Sequence, residues 1–532
     1  MNQAEVKRRQ TETFTNILAL ITILIIERIT ENRGITYLAL AVEVYALLVT
    51  CVSGKLSDTL GRLLRSRKNK GQYGNMERMR KNALLIQAIL GLAGCLLMLT
   101  FAGNIAEGVF GIRYSTLILR VLSPIVLLRS ISAVLVGYFQ GEGSEQPRAI
   151  SGILRQIFIL GFGLLFSGMT RSYGEKVSGL LMQENFMPMY GGVGIAIAIC
   201  LSEILIIVFL VILFKGSRRG AKRTHQERYT ESVFDCIRAL YVGRWPLLVT
   251  GILQIMPMLL GLLFFLKATE DGNTAALEYG IYTGKYLTIC GIAIGLISIL
   301  SLPVIARILM CLRSGENRFA KKVFQSGVHI CMVHGIFVSV FLAVMGGEAS
   351  KLLCPTDSAI LQKMFMGGSV LVLFAVLVGY FVFFLQAAGK KYLVLGAAGV
   401  ANLVFVLFVL IFSRAGKAGI LSLVYGGIAG MAVYGVILGL FAYRQLRTQA
   451  DWLWILIVPL GAGGLEGIVC MLLEKLLSPH MGDLITLLIS LAVSAVIYWL
   501  VLVVLRNFKE QELEVIPGGR LVEKIGQLLH VF

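Results

Sequence analysis

Fourteen apolar runs, each about as long as a lipid bilayer's hydrocarbon core is thick, recur along this chain and leave it one solvent to fold in. A helix rises about 1.5 Å per residue, so roughly 20 apolar residues cross a core about 30 Å thick. The runs at 83–103, 191–214 and 419–442 reach that length with few charges. Within lipid every backbone N–H and C=O must be satisfied by the protein itself, which leaves helices or a closed barrel, and runs this long select helices. The spans read as 14–30, 35–60, 82–102, 116–140, 148–168, 191–215, 242–267, 277–308, 322–345, 361–387, 392–413, 417–444, 451–477 and 482–506. Composition agrees: the 532 residues are 57% hydrophobic and 15% charged, where a soluble globular chain has about 45–50% and about 25%. A water-soluble enzyme is excluded, and little length remains for a soluble domain.

The formal charge of +19 raises nucleic acid as a partner, but the positions of the charges decide against it. Of the 49 Lys and Arg, 32 fall on one side if alternate loops share a side: 7–9, 62–81, 148, 215–238, 307–322, 390–391, 444–447 and the C-terminal tail. This is the positive-inside pattern, with basic loops beside anionic headgroups. It places both termini in the cytoplasm. The run 14–26 is followed at once by Glu27 and Arg28, without a small-residue cleavage site, and reads as a retained first helix. Residues 520–532 put Leu521, Val522, Ile525, Leu528, Leu529 and Phe532 on one face, as a helix lying on the cytoplasmic leaflet does. Trp245, Trp452, Trp454 and Trp499 fall near span ends, where interfacial anchors sit.

The nine cysteines lie mostly inside spans without a CxxC pair, and His329 and His334 stand five apart, off a common helix face. No phosphate loop, nucleophile elbow or zinc motif occurs in a suitable context. No metal, cofactor or enzymatic chemistry is expected.

An internal repeat organises the chain. Residues 133–139 and 375–381 carry the same heptapeptide, Ala-Val-Leu-Val-Gly-Tyr-Phe, at an offset of 242. The same offset carries the starts of the second to fifth spans to within three residues of the eighth to eleventh. The expected architecture is an all-α polytopic membrane protein of about 14 transmembrane helices. It comprises a cytoplasmic N-terminus (1–13), an N-lobe of helices 1–6 (14–215) and a basic linker (216–241). A C-lobe of helices 7–12 (242–444), a further helix pair (451–506) and a cytoplasmic amphipathic tail (507–532) follow. An even number of helices per copy keeps both lobes in one orientation, related by a pseudo-twofold axis along the membrane normal, with substrate between them.

Charges within spans are costly in lipid and mark sites that face a partner or water. The offset pairs Tyr37 with Tyr279 and Glu43 with Lys285, each of the latter two lying eight residues into its span. Their opposite charges read either as a pair that opens and closes during alternating access or as a static clamp. Glu43, Thr50, Gly54, Ser57 and Gly61 share one helix face, as do Arg129, Ser132, Val136 and Gln140. The deep charges Arg129, Arg155 and Lys285 balance Glu43, Glu203 and Glu466, so counting them does not fix the sign of the cargo.

The stretch Leu119-Arg120-Val121-Leu122-Ser123-Pro124, then Gly137-Tyr138-Phe139-Gln140-Gly141, Pro147, Ser151 and Gln156, resembles the fourth and fifth helices of bacterial polysaccharide exporters. These form the stage V sporulation protein B and lipid II flippase (MurJ-type) branch of the multidrug/oligosaccharidyl-lipid/polysaccharide (MOP) exporter superfamily. Arg33-Gly34-Ile35-Thr36-Tyr37 with 68–82 resembles its second helix and basic loop. Tyr279-Gly280-Ile281-Tyr282 with Leu302-Pro303 resembles its eighth helix, and 386–389 with Asn402 its tenth and eleventh. The resemblance implies the MATE-like fold and a flippase of the bacterial cytoplasmic membrane. It implies a polyprenyl-pyrophosphate-linked oligosaccharide or peptidoglycan precursor as substrate, moved by alternating access. Membrane lipid is the other partner, and the chain is expected to act as a monomer. Cavity cations would hold the pyrophosphate: Arg28 and Lys285 by the resemblance, with Arg129 and Arg155 from the reading of the spans. Glu43, Glu203 and Lys285 are the candidates for coupling or gating. The chain departs from the pattern it resembles at Val136, where Arg is usual, and at Arg155, where Glu is usual. Two other readings stand beside this one: a cation-coupled multidrug or metabolite exporter of the same fold, and a non-transporting membrane scaffold in envelope or spore assembly.

Overall fold

The computed structural model describes residues 3–218, 231–242, 244–269, 271–354, 358–414 and 419–508, among which no strand occurs. The amphipathic tail expected at 520–532 lies outside the described residues. The helices run in order α1 (Gln3–Ser53), α2 (Leu56–Asn69), α3 (Tyr73–Gly103), α4 (Ser115–Leu122), α5 (Pro124–Glu142), α6 (Gln146–Leu181) and α7 (Phe186–Arg218). Then come α8 (Val233–Val242), α9 (Trp245–Ala268), α10 (Gly272–Ile281), α11 (Leu287–Arg313), α12 (Asn317–Leu353), α13 (Ser358–Gly368) and α14 (Val370–Ala387). The last are α15 (Lys391–Arg414), α16 (Leu421–Leu446), α17 (Val458–Leu477) and α18 (Asp483–Val504). Thirteen stretches among the described residues are long and apolar enough to span a bilayer. This is a polytopic all-α membrane protein.

The first of those stretches, Arg9–Asn69, covers the expected spans 14–30 and 35–60 together. The two segments meet at a kink rather than a loop: Glu31 takes φ 62° and ψ 167° inside α1. A break of this kind strands backbone carbonyls. Arg171 of α6 answers it, donating from Nη1 to the Ile29 carbonyl at 2.7 Å and from Nη2 to Glu31 Oε1 at 3.0 Å. The long expected span 277–308 is also interrupted, by a π-helical turn at Tyr282–Tyr286.

The chain forms two compact units, Ile21–Gly284 and Met1–Leu20 with Lys285–Phe532. The expected second lobe starts at 242, whereas the boundary between the packed units falls after Gly284. In the Ile21–Gly284 unit, Leu56, Leu60 and Leu64 of α2, Val134 and Tyr138 of α5, and Ile206 and Leu210 of α7 build one buried core. A Cβ on Gly137 would meet Leu60 and the Ser57 carbonyl at 3.1 Å, so the heptapeptide's glycine lets α5 lie close against α2. The basic loop beside this core is tied internally: Arg67 pairs with Glu231 at 2.7 Å, Lys68 with Glu142 at 2.8 Å, and Arg148 with Asp58.

The other unit centres on α12. Tyr380 donates to the Phe324 carbonyl at 3.0 Å and Tyr498 to the Val333 carbonyl at 2.8 Å, fastening α14 and α18 to it. The second copy of the heptapeptide sits here on α14, where Gly379 faces Ser298 of α11. Ser298 lies within a residue of Ser57 plus 242, so each copy packs on the helix the offset assigns to it. Each copy also follows a short helix broken at a serine, Ser123 between α4 and α5 and Ser369 between α13 and α14. Trp454 is not an interfacial anchor: it is 7% exposed, stacks on His329 at 4.4 Å and donates to the Asn507 carbonyl.

Candidate functional site

Three helices of the Ile21–Gly284 unit bring their deep charges to one point. Glu203 of α7 is fully buried. Arg155 of α6 grips it with two hydrogen bonds, Nε to Oε2 at 2.7 Å and Nη2 to Oε1 at 3.2 Å. From α5, Ser132 donates to Oε1 at 2.6 Å, and Arg129, one turn earlier on the same face, brings Nε within 3.2 Å of Oε2. Paired guanidinium and carboxylate groups in a two-toothed grip are the strong form of an ion pair, and burial raises the cost of losing either partner. The arrangement is asymmetric in charge: two guanidinium groups share one carboxylate, a net of one positive. Arg129 is the outer member, with its side chain 25% exposed against 13% for Arg155. Its Nε makes no hydrogen bond to any described residue, which leaves guanidinium donors for an anion. Arg155, read from the sequence as a departure from the exporter pattern, is the complement of Glu203.

A second polar contact in the same unit joins α1 to α10. Tyr279 donates its hydroxyl to Glu43 Oε1 at 3.1 Å, and Thr36 donates to the Ala276 carbonyl. The helices touch at backbone level, since a Cβ on Gly280 would run into the Asn32 carbonyl. The offset of 242 makes Tyr37 and Tyr279 repeat equivalents, and Tyr279 is the group that donates to Glu43.

Arg28 is exposed on α1. Lys285 is 8% exposed and sits in the π-turn at Tyr282–Tyr286, in the unit that holds α11 to α18. The structure therefore gathers Arg129, Arg155 and Glu203 into one cluster, sets Glu43 on a separate contact, and leaves Arg28 outside both. Sequence reasoning missed Arg244, which is fully buried before α9, 4.5 Å over the Tyr241 ring and with Nη2 3.4 Å from the Val52 carbonyl. It falls at the start of the expected span 242–267, and no spacing in the sequence sets it apart.

The unit built on α12 carries an apolar groove of 210 Å³ between α11, α12 and α18. Ile289, Ile292, Ala293, Leu296, Phe337, Val338, Phe341, Leu342 and Leu491 line it, and no polar side chain does. A surface of this kind accepts hydrocarbon.

No family model matches the chain. Among curated proteins it is similar to "Stage V sporulation protein B" of Bacillus subtilis (strain 168), 21% identical over an alignment of 526 residues, with 96% of each chain covered. Among solved structures it is similar to "Lipid II flippase MurJ, inward closed conformation", with a TM-score of 0.62 and 13% identity over 93% of this chain and 98% of that one. An inward-facing multidrug-resistance MATE transporter of the MOP superfamily gives a TM-score of 0.59 and 15% identity over 82% of this chain and 94% of its own. The fold is thus the one these transporters share, and the resemblance read from the sequence is the one the comparisons return.

Proposed function

We propose that the chain is a flippase that moves a polyprenyl-pyrophosphate-linked oligosaccharide or peptidoglycan precursor across the bacterial cytoplasmic membrane by alternating access. Both its termini would be cytoplasmic, and it would act as a monomer. The observation that carries this reading is the Arg129–Glu203–Arg155 cluster: a buried site with one net positive charge and an open guanidinium suits an anionic headgroup. A charge-assisted hydrogen bond contributes about 1.5–3 kcal/mol, so a few such contacts hold a pyrophosphate against its hydration. Arg28 and Lys285 are the further cations that would meet the headgroup. The apolar groove lined by Phe337 and Leu491 suits the polyprenyl tail. Glu43, through Tyr279, and Glu203, through its two arginines, are the groups whose partners would change as the transporter turns between its states. A ligand shifts that equilibrium only by its difference in affinity for the two states, so the headgroup site must be present in both and tighter in one.

Native mass spectrometry of the protein in mild detergent with bacterial lipid extract tests the reading. The wild type should carry a polyprenyl-pyrophosphate adduct. Arg129→Ala should weaken it roughly 10- to 100-fold, the equivalent of one charge-assisted hydrogen bond, and Lys285→Ala should weaken it as well. A wild type without the adduct moves the weight to the second reading, a cation-coupled exporter of multidrug type, which the MATE transporter's likeness in fold favours.

A further inference from the structure

In the unit built on α12, one deep carboxyl lacks what Glu203 has. Glu466 of α17 is fully buried, and neither of its oxygens takes a hydrogen bond from any described residue. Beside it on α17, Gly463 and Gly467 lie against Ile336 and Val340 of α12. α18 offers hydroxyls. Thr486, Ser490 and Ser494 are all fully buried and four residues apart, one stripe of the helix that continues to Tyr498. The side chains of Thr486 and Ser490 hydrogen-bond no described residue. Tyr498 and Cys470 lie within electrostatic reach of Glu466, and Cys470 in turn contacts Ser494. The stripe starts beside a carboxyl cluster at the end of the helix pair. There Glu348 meets Asp483, Lys351 Nζ at 2.8 Å and Ser478 at 3.2 Å. Two carboxyl groups hydrogen-bond only with a proton between them.

An ionised carboxylate held in an apolar seam without a donor is expensive, so the group needs a proton or a cation as its counter-charge. No Lys or Arg among the described residues pairs with it. The remaining titratable groups around it are Cys470 and Glu474 on α17, Tyr498 and Asp483 on α18, and Glu348 and Lys351 at the far end of α12. His334 of α12 packs on Trp499, 5.4 Å away. A hydroxyl both donates and accepts, and hydroxyls four residues apart stand about 6 Å apart along the helix, a gap one water bridges.

We propose that the seam between α17 and α18 is a proton-binding site, with the Glu466 carboxyl as the group that takes and releases the proton and the Thr486, Ser490 and Ser494 hydroxyls as the path to it. The step is a proton transfer alone. Water at the Ser478 end gives up a proton, the proton passes along bridging water to the Glu466 carboxylate, and the neutral acid returns it by the same path. This proposal stands apart from the identity of the cargo and holds for a flippase or a drug exporter alike.

Infrared difference spectroscopy of the full chain in lipid bilayers tests it. Wild type minus Glu466→Gln should isolate one carboxylic C=O band. That band should shift when H2O is replaced by D2O, fade as bulk pH is raised, and return when pH is lowered. Thr486→Val combined with Ser490→Ala keeps the carboxyl and should slow the D2O shift by roughly tenfold, an added barrier of about 1.4 kcal/mol. Any one of three results overturns the proposal: no carboxylic band lost in Glu466→Gln, a band indifferent to D2O and pH, or exchange at the wild-type rate in the double variant. The double variant also decides the matter if Glu466→Gln fails to fold.

Discussion

Glu203 and Glu466 are both fully buried carboxyl groups in apolar spans, and they are solved in opposite ways. Glu203 has two guanidinium groups and a serine hydroxyl around it. Glu466 has none among the described residues; Tyr498 and Cys470 lie within its electrostatic reach. The first is a charged cluster with its charge matched and one unit to spare, suited to hold an anion. The second has no fixed partner, suited to a charge that comes and goes. A transporter that moves an anionic headgroup needs the first kind of site to bind, and the second kind is where a driving ion would enter.

Removing each carboxylate breaks or sharpens that contrast. Glu203→Ala leaves two guanidinium groups facing each other in a buried site. It should cost about 3–5 kcal/mol, read as a loss of folded protein in thermal or denaturant unfolding in mild detergent. Glu466→Gln keeps the volume and removes no ion pair, so its cost should stay within about 1 kcal/mol. Equal costs for the two variants would mean that Glu466 has a cation partner after all. Gly280→Ala should come next, at about 1–3 kcal/mol, because its methyl group meets the Asn32 backbone and neither helix has a side chain to move aside. Cysteines placed on α1 and α10 near Thr36 and Ala276 should then cross-link less than in the parent. The smallest effect belongs to Tyr279→Phe, which removes the hydroxyl that Glu43 accepts from and should cost about 0.5–1.5 kcal/mol; no change would mean that Glu43 has water or another donor there.

The spans were legible because lipid imposes one rule on every residue in them. The repeat was legible because a heptapeptide survived in both copies, and the packing of Gly137 against α2 and of Gly379 against α11 shows what that segment does. The kink at Glu31 was not legible: a non-glycine at positive φ is held by Arg171, more than a hundred residues away. Nor was the partnership of Glu43. The offset relates sequence positions, whereas the donor to Glu43 follows from the packing of α1 on α10, which brings up Tyr279. Face analysis within a single helix placed Arg129 with Ser132 correctly for the Glu203 cluster. It gave no sign that Arg155 joins them, since complementarity between helices leaves no spacing in the sequence. Glu466 was visible as a charge in a span, and its want of a partner is a property of its neighbours alone.

Translocation measured in proteoliposomes tests the central claim most directly. A polyprenyl-pyrophosphate-linked sugar is loaded in the inner leaflet, and its exposure outside is read by a glycan-modifying enzyme that cannot cross the bilayer. The wild type should expose the sugar faster than protein-free vesicles, and Arg129→Ala and Arg155→Ala should slow it, Arg129→Ala without loss of folded protein. Exposure at the protein-free rate, or unchanged by both substitutions, would contradict the assignment of the Arg129–Glu203–Arg155 cluster as the headgroup site of a flippase.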